Sequence, residues 1–518
     1  RPPTSAVSAT RAQTSPPPPP PPPPPSPPSP PSPPPPFAPL PPAPGPALGP
    51  PARILSAMPT RTPSTPIPAA AFLDDLRARH LLHQVTHEPA LLRHLDAAPR
   101  RIYCGFDPSA DSLTIGNLVA MMLLRRFRAA GHEPIVLMGG ATGRIGDPSG
   151  KDAERSLMTE DVVERNIAAQ RPIFQRVLGD DVRIVNNHDW FKHISFLDAL
   201  RDIGKHFSVN QMIQRDAVKR RLEDREHGIS YTEFSYMLLQ AYDFLHLFRA
   251  EGVTLQTAGS DQWGNIVSGV DLIRRAGLDE RDATDTGPAA PDSDDPRAFG
   301  LTAPLLTRAD GGKFGKTESG AIWLSDDRPS GEPGTSAYAF FQFWINAADD
   351  DAPKFLRVFT DLPLAEIEEI ERAHADEPHK RLAQRTVAEH ATRLVHGEDG
   401  LARAQAATDA LFTGDVASLD ERTLLEVFAD VPSSEHKRAD LAGPGGVPLV
   451  DLLPQTSLAK SKREAREFLA GGAVSVNGSK AGPDAAITTA NLLHGRLALL
   501  RRGKKSWHVT RWVETPTP

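Results

Sequence analysis

Four short apolar runs, each opening into a small-residue loop and followed by a helical pattern, set what this chain can fold into. They are RIYCGF at 101–106, EPIVLMGG at 133–140, VRIVNNHDW at 182–190 and VTLQTAGSDQWGN at 253–265. The first is followed by a helix from about Gly116, apolar at Leu118, Val119, Met121, Met122, Leu124 and Phe127, and stopped by Gly131. After the second, Thr159 is placed to cap a helix with Glu160 and Asp161 in its first turn and Gly179 beyond its end. TEFSYMLLQAYDFLHLFRAEG, at 232–252, is another helix, and FLDDLRARHLLHQV at 72–85 reads as an amphipathic one. Strands alternating with helices call for a mainly parallel sheet covered on both faces. In such sheets the functional loops gather at the C-terminal strand ends.

A chain of 518 residues is long enough for more than one domain, and its net charge of −7 is an ordinary balance. No run approaches the ~18 apolar residues of a transmembrane helix, so no membrane span is expected. The single cysteine, Cys104, rules out an internal disulfide and a cysteine-rich zinc site, and fits a reducing compartment. Residues 1–68 hold the run Pro16–Pro25 and more Pro, Ser and Ala, the composition of an extended leader without a core, with Met58 as the expected start. Residues 279–300 (DERDATDTGPAAPDSDDPRAFG) read as an acidic surface insertion.

Three features downstream carry chemistry. The strand–loop–helix at 101–117 offers free backbone N–H groups and a helix dipole, which suit phosphate. On the helix at 232–250, Tyr236, Gln240 and Asp243 are spaced i, i+4, i+7 and face one way, three polar groups that need partners if buried. GSDQWGN at 259–265 is a Gly-flanked loop after a strand, with Asp261 placed to accept ribose hydroxyl hydrogens. KFGKT at 313–317 sets two lysines three apart in a Gly-rich segment, suiting a mobile loop that closes on triphosphate.

Together YCGFDPSADSL, GGATGRIGDPSGK, SYMLLQAYD, GSDQWGN and KFGKT closely resemble the bacterial tyrosyl-tRNA synthetases, class I enzymes, in the family's order from residue 72 to about 515. LTIGN stands where that class has HIGH, and KFGKT where it has KMSKS. The resemblance implies an α/β fold with these parts: a Rossmann-like parallel-sheet catalytic domain at 69–305, with a helical insertion at about 192–230; the KFGKT loop and linker at 306–335; a helical anticodon-side domain at 336–430; a linker at 431–446; and a small α+β S4-like RNA-binding domain at 447–518. It implies that Tyr103 and Asp243 bind the substrate phenol. Asp147, Tyr236 and Gln240 hold its α-ammonium, with Asn187 and Thr142 nearby. Cys104, Gly105, Asp107, Ser109, Gly259, Asp261 and Gln262 line the ribose and adenylate site. Lys313, Lys316 and Thr317, with Lys151 and Arg155 opposite, meet the pyrophosphate.

The first histidine of HIGH is Thr114 here and the last is Asn117; Thr114 keeps a hydroxyl donor, and the Asn117 amide N–H can stand in for an imidazole donor. The reaction implied is activation of L-tyrosine with ATP, then transfer to the terminal ribose of tRNA(Tyr). Magnesium comes with ATP rather than in a protein cage. Lys460, Lys462, Arg463 and Arg466 make a basic helix face for RNA, with Lys480, Arg501, Arg502, Lys504 and Lys505 adding charge. Family members act as homodimers in the cytoplasm, and the same is expected here. Two other readings stand beside this one: the tryptophan-specific sister family, and an inactive RNA-binding homologue.

Overall fold

The structure, a computed structural model, describes residues 67–147, 158–215, 218–219, 222, 228–284, 296–309, 311–312, 314–317, 320–413, 415–429, 431–443, 445–503 and 506–514. The leader up to residue 66, Lys151, Arg155, Lys313, residues 285–295 of the acidic insertion, Lys504 and Lys505 lie outside the described residues, as do the side chains of Lys316 and Thr317.

Six strands form the main sheet: β1 (Gln84–Val85), β2 (Arg101–Phe106), β3 (Glu133–Met138), β4 (Arg183–Asn186), β5 (Val253–Gly259) and β6 (Phe299–Ala303). Their order is β1-β6-β5-β2-β3-β4, and every pairing is parallel except β1 with β6. The chain builds from β2 outward to β4, then returns to build β5 and β6 on the other side. The order therefore reverses between β2 and β5, which opens a crevice at their C-terminal ends. Strand β3 is buried at every residue after Glu133, as a strand covered on both faces must be. The helix Ile115–Ala129 packs over this sheet with Leu118, Met121, Met122, Leu123, Leu124 and Phe127 all at 0% exposure.

The structure departs from the sequence expectation in four places, the first being the insertion expected over 279–300, which the helix Trp263–Thr284 enters at one end and the buried strand β6 enters from Phe299 at the other. The helix expected over 72–85 spans Ala69–Ala78. His80 takes a left-handed conformation (φ 58°) and the Leu81 N–H donates back to the Leu76 carbonyl, which closes the helix although the apolar pattern runs on. The residues that follow become the edge strand β1. The third strand stops at Asn186, and His188–Phe191 turns into a helix, with the His188 N–H donating to Asn186 Oδ1 at 3.0 Å. The stretch 431–446, expected as a linker, contains a strand, Ser433–Lys437, that pairs in parallel with Ser506–Val513. It completes a five-stranded C-terminal sheet with Ser479–Lys480, Val474–Val476 and Leu497–Arg502.

Residues 336–430 are mostly helical where described. Phe340, Trp344, Phe355 and Phe359 form an aromatic cluster there, and Phe314 of KFGKT reaches into it, 5.0 Å from Phe355 and 5.5 Å from Phe359 between ring centroids. No described helix is long and apolar enough to cross a membrane.

Three half-buried histidines make the fold acid-sensitive. Burial and the neighbouring Arg100 push His94 and His132 down to about 4, and burial beside Arg176 and Arg403 does the same to His396. Each is neutral in the folded chain and titrates near its ordinary value when unfolded. Their contribution is therefore fully present above about pH 6.5 and is lost as pH falls towards 4. We expect thermal denaturation followed across pH 7 to 4 to lose stability on the order of 2 kcal/mol from these groups, less than the full shifts imply because all three keep contact with water. A melting temperature that stays flat through this window would contradict the assignment.

Candidate active site

The loops after β2, β3, β4 and β5 meet the helix Tyr231–Glu251 at the crevice. That helix is started by Ser230, whose Oγ accepts the Glu233 N–H at 3.2 Å, and is ended by Gly252 in a left-handed conformation. Its apolar face docks against the sheet through Phe244, Leu245 and Leu247, which turns Tyr236, Gln240 and Asp243 into the crevice.

At the floor lies Tyr103, on β2, at 0% exposure and 5.4 Å from the Phe244 ring. Among the described residues its hydroxyl has no hydrogen-bond partner. Asp243 is 2% exposed; its Oδ1 accepts from Trp190 Nε1 at 2.9 Å and its Oδ2 from Asn187 Nδ2 at 3.1 Å. Burial raises the Asp243 carboxyl well above the usual carboxylate range, against the pull of those two donors. Burial, then the nearby Asp243 charge, raises the Tyr103 phenol as well. The buried Asp243 carboxyl and the buried Tyr103 phenol, the latter without a partner among the described residues, suit a ligand that both donates and accepts at one oxygen.

Polar contacts continue from there to the mouth. Asn187 Nδ2 also donates to Thr142 Oγ1 at 2.9 Å, Thr142 Oγ1 donates to Asp107 Oδ1 at 2.8 Å, and the Tyr236 hydroxyl donates to Asp107 Oδ2 at 2.9 Å. Gly139 is required here, since a Cβ on it would lie 2.2 Å from Asp107 Oδ1 and 2.5 Å from Thr142 Oγ1. A second group joins Gln262 Nε2 to Asp147 Oδ2 at 2.7 Å, and Asn265 Nδ2 to Gln240 Oε1 at 3.0 Å. The residues expected around the ammonium and the phenol are thus brought together. Asn187 links the Thr142 and Asp243 side chains through its Nδ2. Asp107, expected at the adenylate, accepts from Thr142 and Tyr236 in the crevice.

Cys104 is buried on β2 and, in an apolar setting, its thiol is pushed up to about 12, which suits a neutral contact and not a nucleophile. Gly105 and Ser109 are exposed beside it, and Gly259 follows β5 with Asp261 and Gln262 in the next turn. The Thr114 side chain does not keep its hydroxyl proton for a ligand. Both its N–H and its Oγ1 donate to Asn117 Oδ1 at 2.9 Å, capping the helix Ile115–Ala129. With its oxygen occupied, Asn117 has its amide N–H groups left to donate.

Lys462, Arg463 and Arg466 are exposed on the helix Lys462–Ala470, while Lys460, expected on the same helix face, is exposed just before it, ahead of the Ser461 cap; Lys462 pairs with Asp451 at 2.6 Å and Arg463 with Glu467 at 3.1 Å. Arg501 and Arg502, expected to add charge for RNA, are turned to structural work: Arg501 lies over Trp507, and Arg502 lies over Phe468 and donates to the Leu458 carbonyl at 2.6 Å. Sequence reasoning missed Trp190, which sat in a stretch read as strand, and Asn265, whose only signal was its place at the end of GSDQWGN.

A parallel sheet with this switch point, a polar amino-acid pocket and two motif loops beside it define a class I aminoacyl-tRNA synthetase. Residues 96–413 match the family "tRNA synthetases class I (W and Y)", and residues 423–510 match "Tyrosine--tRNA ligase SYY-like C-terminal domain". The tyrosine–tRNA ligase of Bacillus caldotenax is 47% identical over 447 residues, covering 85% of this chain and 99% of that protein. That of Aliivibrio fischeri strain MJ11 is 46% identical over 447 residues, covering 85% and 98%. A C-terminally truncated mitochondrial tyrosyl-tRNA synthetase of Aspergillus nidulans superposes with a TM-score of 0.56 at 31% identity, covering 66% of this chain and 94% of that one. The chain belongs to the tyrosine–tRNA ligase family.

Proposed function

We infer that this chain activates L-tyrosine with ATP and transfers the tyrosyl group to tRNA(Tyr). The observation that carries the choice of amino acid is that the buried Asp243 carboxyl lies near the buried Tyr103 hydroxyl, which has no partner among the described residues. A phenol donates to the first and accepts from the second. Phenylalanine would leave the Tyr103 hydroxyl without a partner and give Asp243 nothing beyond its bonds from Trp190 and Asn187, and an indole N–H cannot accept.

In the activation step the tyrosine carboxylate attacks the α-phosphorus of ATP, the bond to the bridging oxygen breaks, and pyrophosphate leaves. No covalent enzyme intermediate is required, so positioning and charge stabilisation carry the rate. Tyr103 and Asp243 hold the phenol, and Asp147, Tyr236 and Gln240 hold the ammonium. Cys104, Gly105, Gly259, Asp261 and Gln262 line the nucleotide side. Asn117 donates to the phosphates with Lys313, Lys316 and Thr317, and Lys151 and Arg155 approach from the other side. Magnesium enters bound to ATP as part of the substrate. A terminal ribose hydroxyl of the tRNA then takes the tyrosyl group and AMP leaves, the RNA being held by the exposed Lys460, Lys462, Arg463 and Arg466.

The exposed Phe196, Leu197, Leu200, Val209 and Ile213 form an apolar surface within the segment 192–215 that a second copy would cover, supporting a homodimer, and the expected location is the cytoplasm. The deciding experiment is ATP–pyrophosphate exchange with tyrosine, tryptophan and phenylalanine, with sedimentation of the same sample to read the dimer. Exchange with tyrosine alone is expected. Exchange driven by tryptophan, or none from folded protein that still binds tRNA, would favour the sister family or an inactive RNA-binding homologue.

A further inference from the structure

The segment after KFGKT runs back along the LTIGN loop and is fastened to it. The Ile115 N–H donates to the Ile322 carbonyl at 2.9 Å, the Leu324 N–H donates to the Leu113 carbonyl at 2.8 Å, and Thr114 and Trp323 form an antiparallel bridge between them. Ser112 Oγ donates to Ser325 Oγ at 2.9 Å. The short hairpin of Lys316–Thr317 with Gly320–Ala321 grows directly from this seam. Gly315, at φ 80°, presses on the motif helix so closely that a Cβ would lie 2.5 Å from Ile115 Cγ2.

Beyond the seam is an ion pair that nothing in the reaction uses. Asp111 belongs to the loop between β2 and the motif helix. Its Oδ1 accepts from Arg328 Nε at 2.7 Å and its Oδ2 from the Ser330 N–H at 2.7 Å. Both side chains are 7% exposed. The guanidinium also lies 4.1 Å from the centroid of Trp323, the residue bridged to Thr114, and Arg328 pairs with Glu332 at 2.9 Å. Taking two charges out of water is costly, and well-packed apolar residues commonly stabilise such a position as well or better. What the fork of an arginine adds is a fixed direction.

We propose that Asp111 and Arg328 are positioning residues for adenylate formation: they lock the returning segment to the LTIGN loop, and so set where the hairpin bearing Lys316 and Thr317 stands relative to Asn117. The inference rests on the tyrosine-activation reading above, which wild-type exchange with tyrosine tests separately.

The test measures Asp111→Asn, Arg328→Met and the double variant for tyrosine affinity by equilibrium dialysis, for kcat and the KM of ATP in pyrophosphate exchange, and for melting temperature. Each single change is expected to keep tyrosine affinity within about twofold while kcat/KM for ATP falls by roughly tenfold or more. The double variant should lose no more than the worse single one, because the pair acts as a unit. A lowered melting temperature with unchanged kcat and KM for ATP would make the pair merely structural and overturn the proposal. So would tyrosine affinity falling in step with ATP use. If Arg328→Met does not fold, Arg328→Lys, which keeps the charge and loses the fork, is read by the same ratio.

Discussion

Asp243→Asn is expected to lower kcat/KM for tyrosine by about one to two orders of magnitude in pyrophosphate exchange, with little net change in the stability of the free protein, because relief of the buried charge offsets the N–H that the amide sets against a buried donor. The phenol hydroxyl donates to this carboxylate in the proposed complex, and hydrogen bonds to a charged acceptor contribute about 1.5–3 kcal/mol each. An amide in its place presents a weaker acceptor and turns N–H groups towards the donors Trp190 and Asn187. The effect on stability differs because burial already disfavours the ionised Asp243. Its raised carboxyl lends stability below the ordinary carboxylate pKa and loses it as pH rises through the raised value, so a neutral amide removes a cost near neutrality. Binding has the opposite trend: tyrosine affinity falls as pH drops through the raised value, and that dependence vanishes in the Asn variant. Tyr103→Phe separates the same two effects, since deleting a buried partnerless hydroxyl stabilises the free chain by about 1 kcal/mol while tyrosine loses a donor. An Asp243→Asn enzyme with an unaltered KM and kcat for tyrosine would refute the phenol assignment.

Asn117→Ala is expected to cut kcat of exchange by about 10²–10³-fold with tyrosine affinity unchanged, the size found when one preorganised donor to transition-state charge is deleted. The geometry supports donation by Asn117 because its carbonyl oxygen is taken by the Thr114 N–H and Oγ1. Thr114→Ala should cost much less, because it loosens the orientation of Asn117 without removing the amide. Asn117→His restores a donor and should recover part of the loss, whereas Asn117→Asp places a negative charge against phosphate and should be worse than alanine. Asn117→Ala and Thr114→Ala each weaken the helix cap by about 1 kcal/mol, so melting temperatures must be read alongside. An Asn117→Ala enzyme with normal kcat, or one that fails only in binding tyrosine, would remove Asn117 from the phosphate site.

Much of the fold was legible because period and punctuation are local properties. Helix Tyr231–Glu251 was expected almost to its ends, since Gly252 can take the left-handed conformation that stops it. The helix after LTIGN and the strands at 101, 133 and 253 were equally clear. The two unexpected strands share one cause: the deciding contact lay elsewhere in the chain. Residues 84–85 became an edge strand because β6 offered an unpaired edge, and 433–437 became strand because Ser506–Val513 offered another. Of the site, Tyr236, Gln240 and Asp243 were legible as one face of one helix.

By itself the sequence determined the alternation of strand and helix, hence a parallel sheet with its loops at one end, and the residue types a tyrosine and ATP site needs. Only the tertiary structure decided which groups are spent on one another. Asp107 is claimed by Thr142 and Tyr236, the Thr114 proton by Asn117, Arg502 by the Leu458 carbonyl and Asp111 by Arg328, while the Tyr103 hydroxyl is left over. The reason is physical. Donor capacity belongs to a residue and can be read from its name, but whether it is already used depends on neighbours as far as 283 residues away along the chain, as for Arg79 and the Leu362 carbonyl.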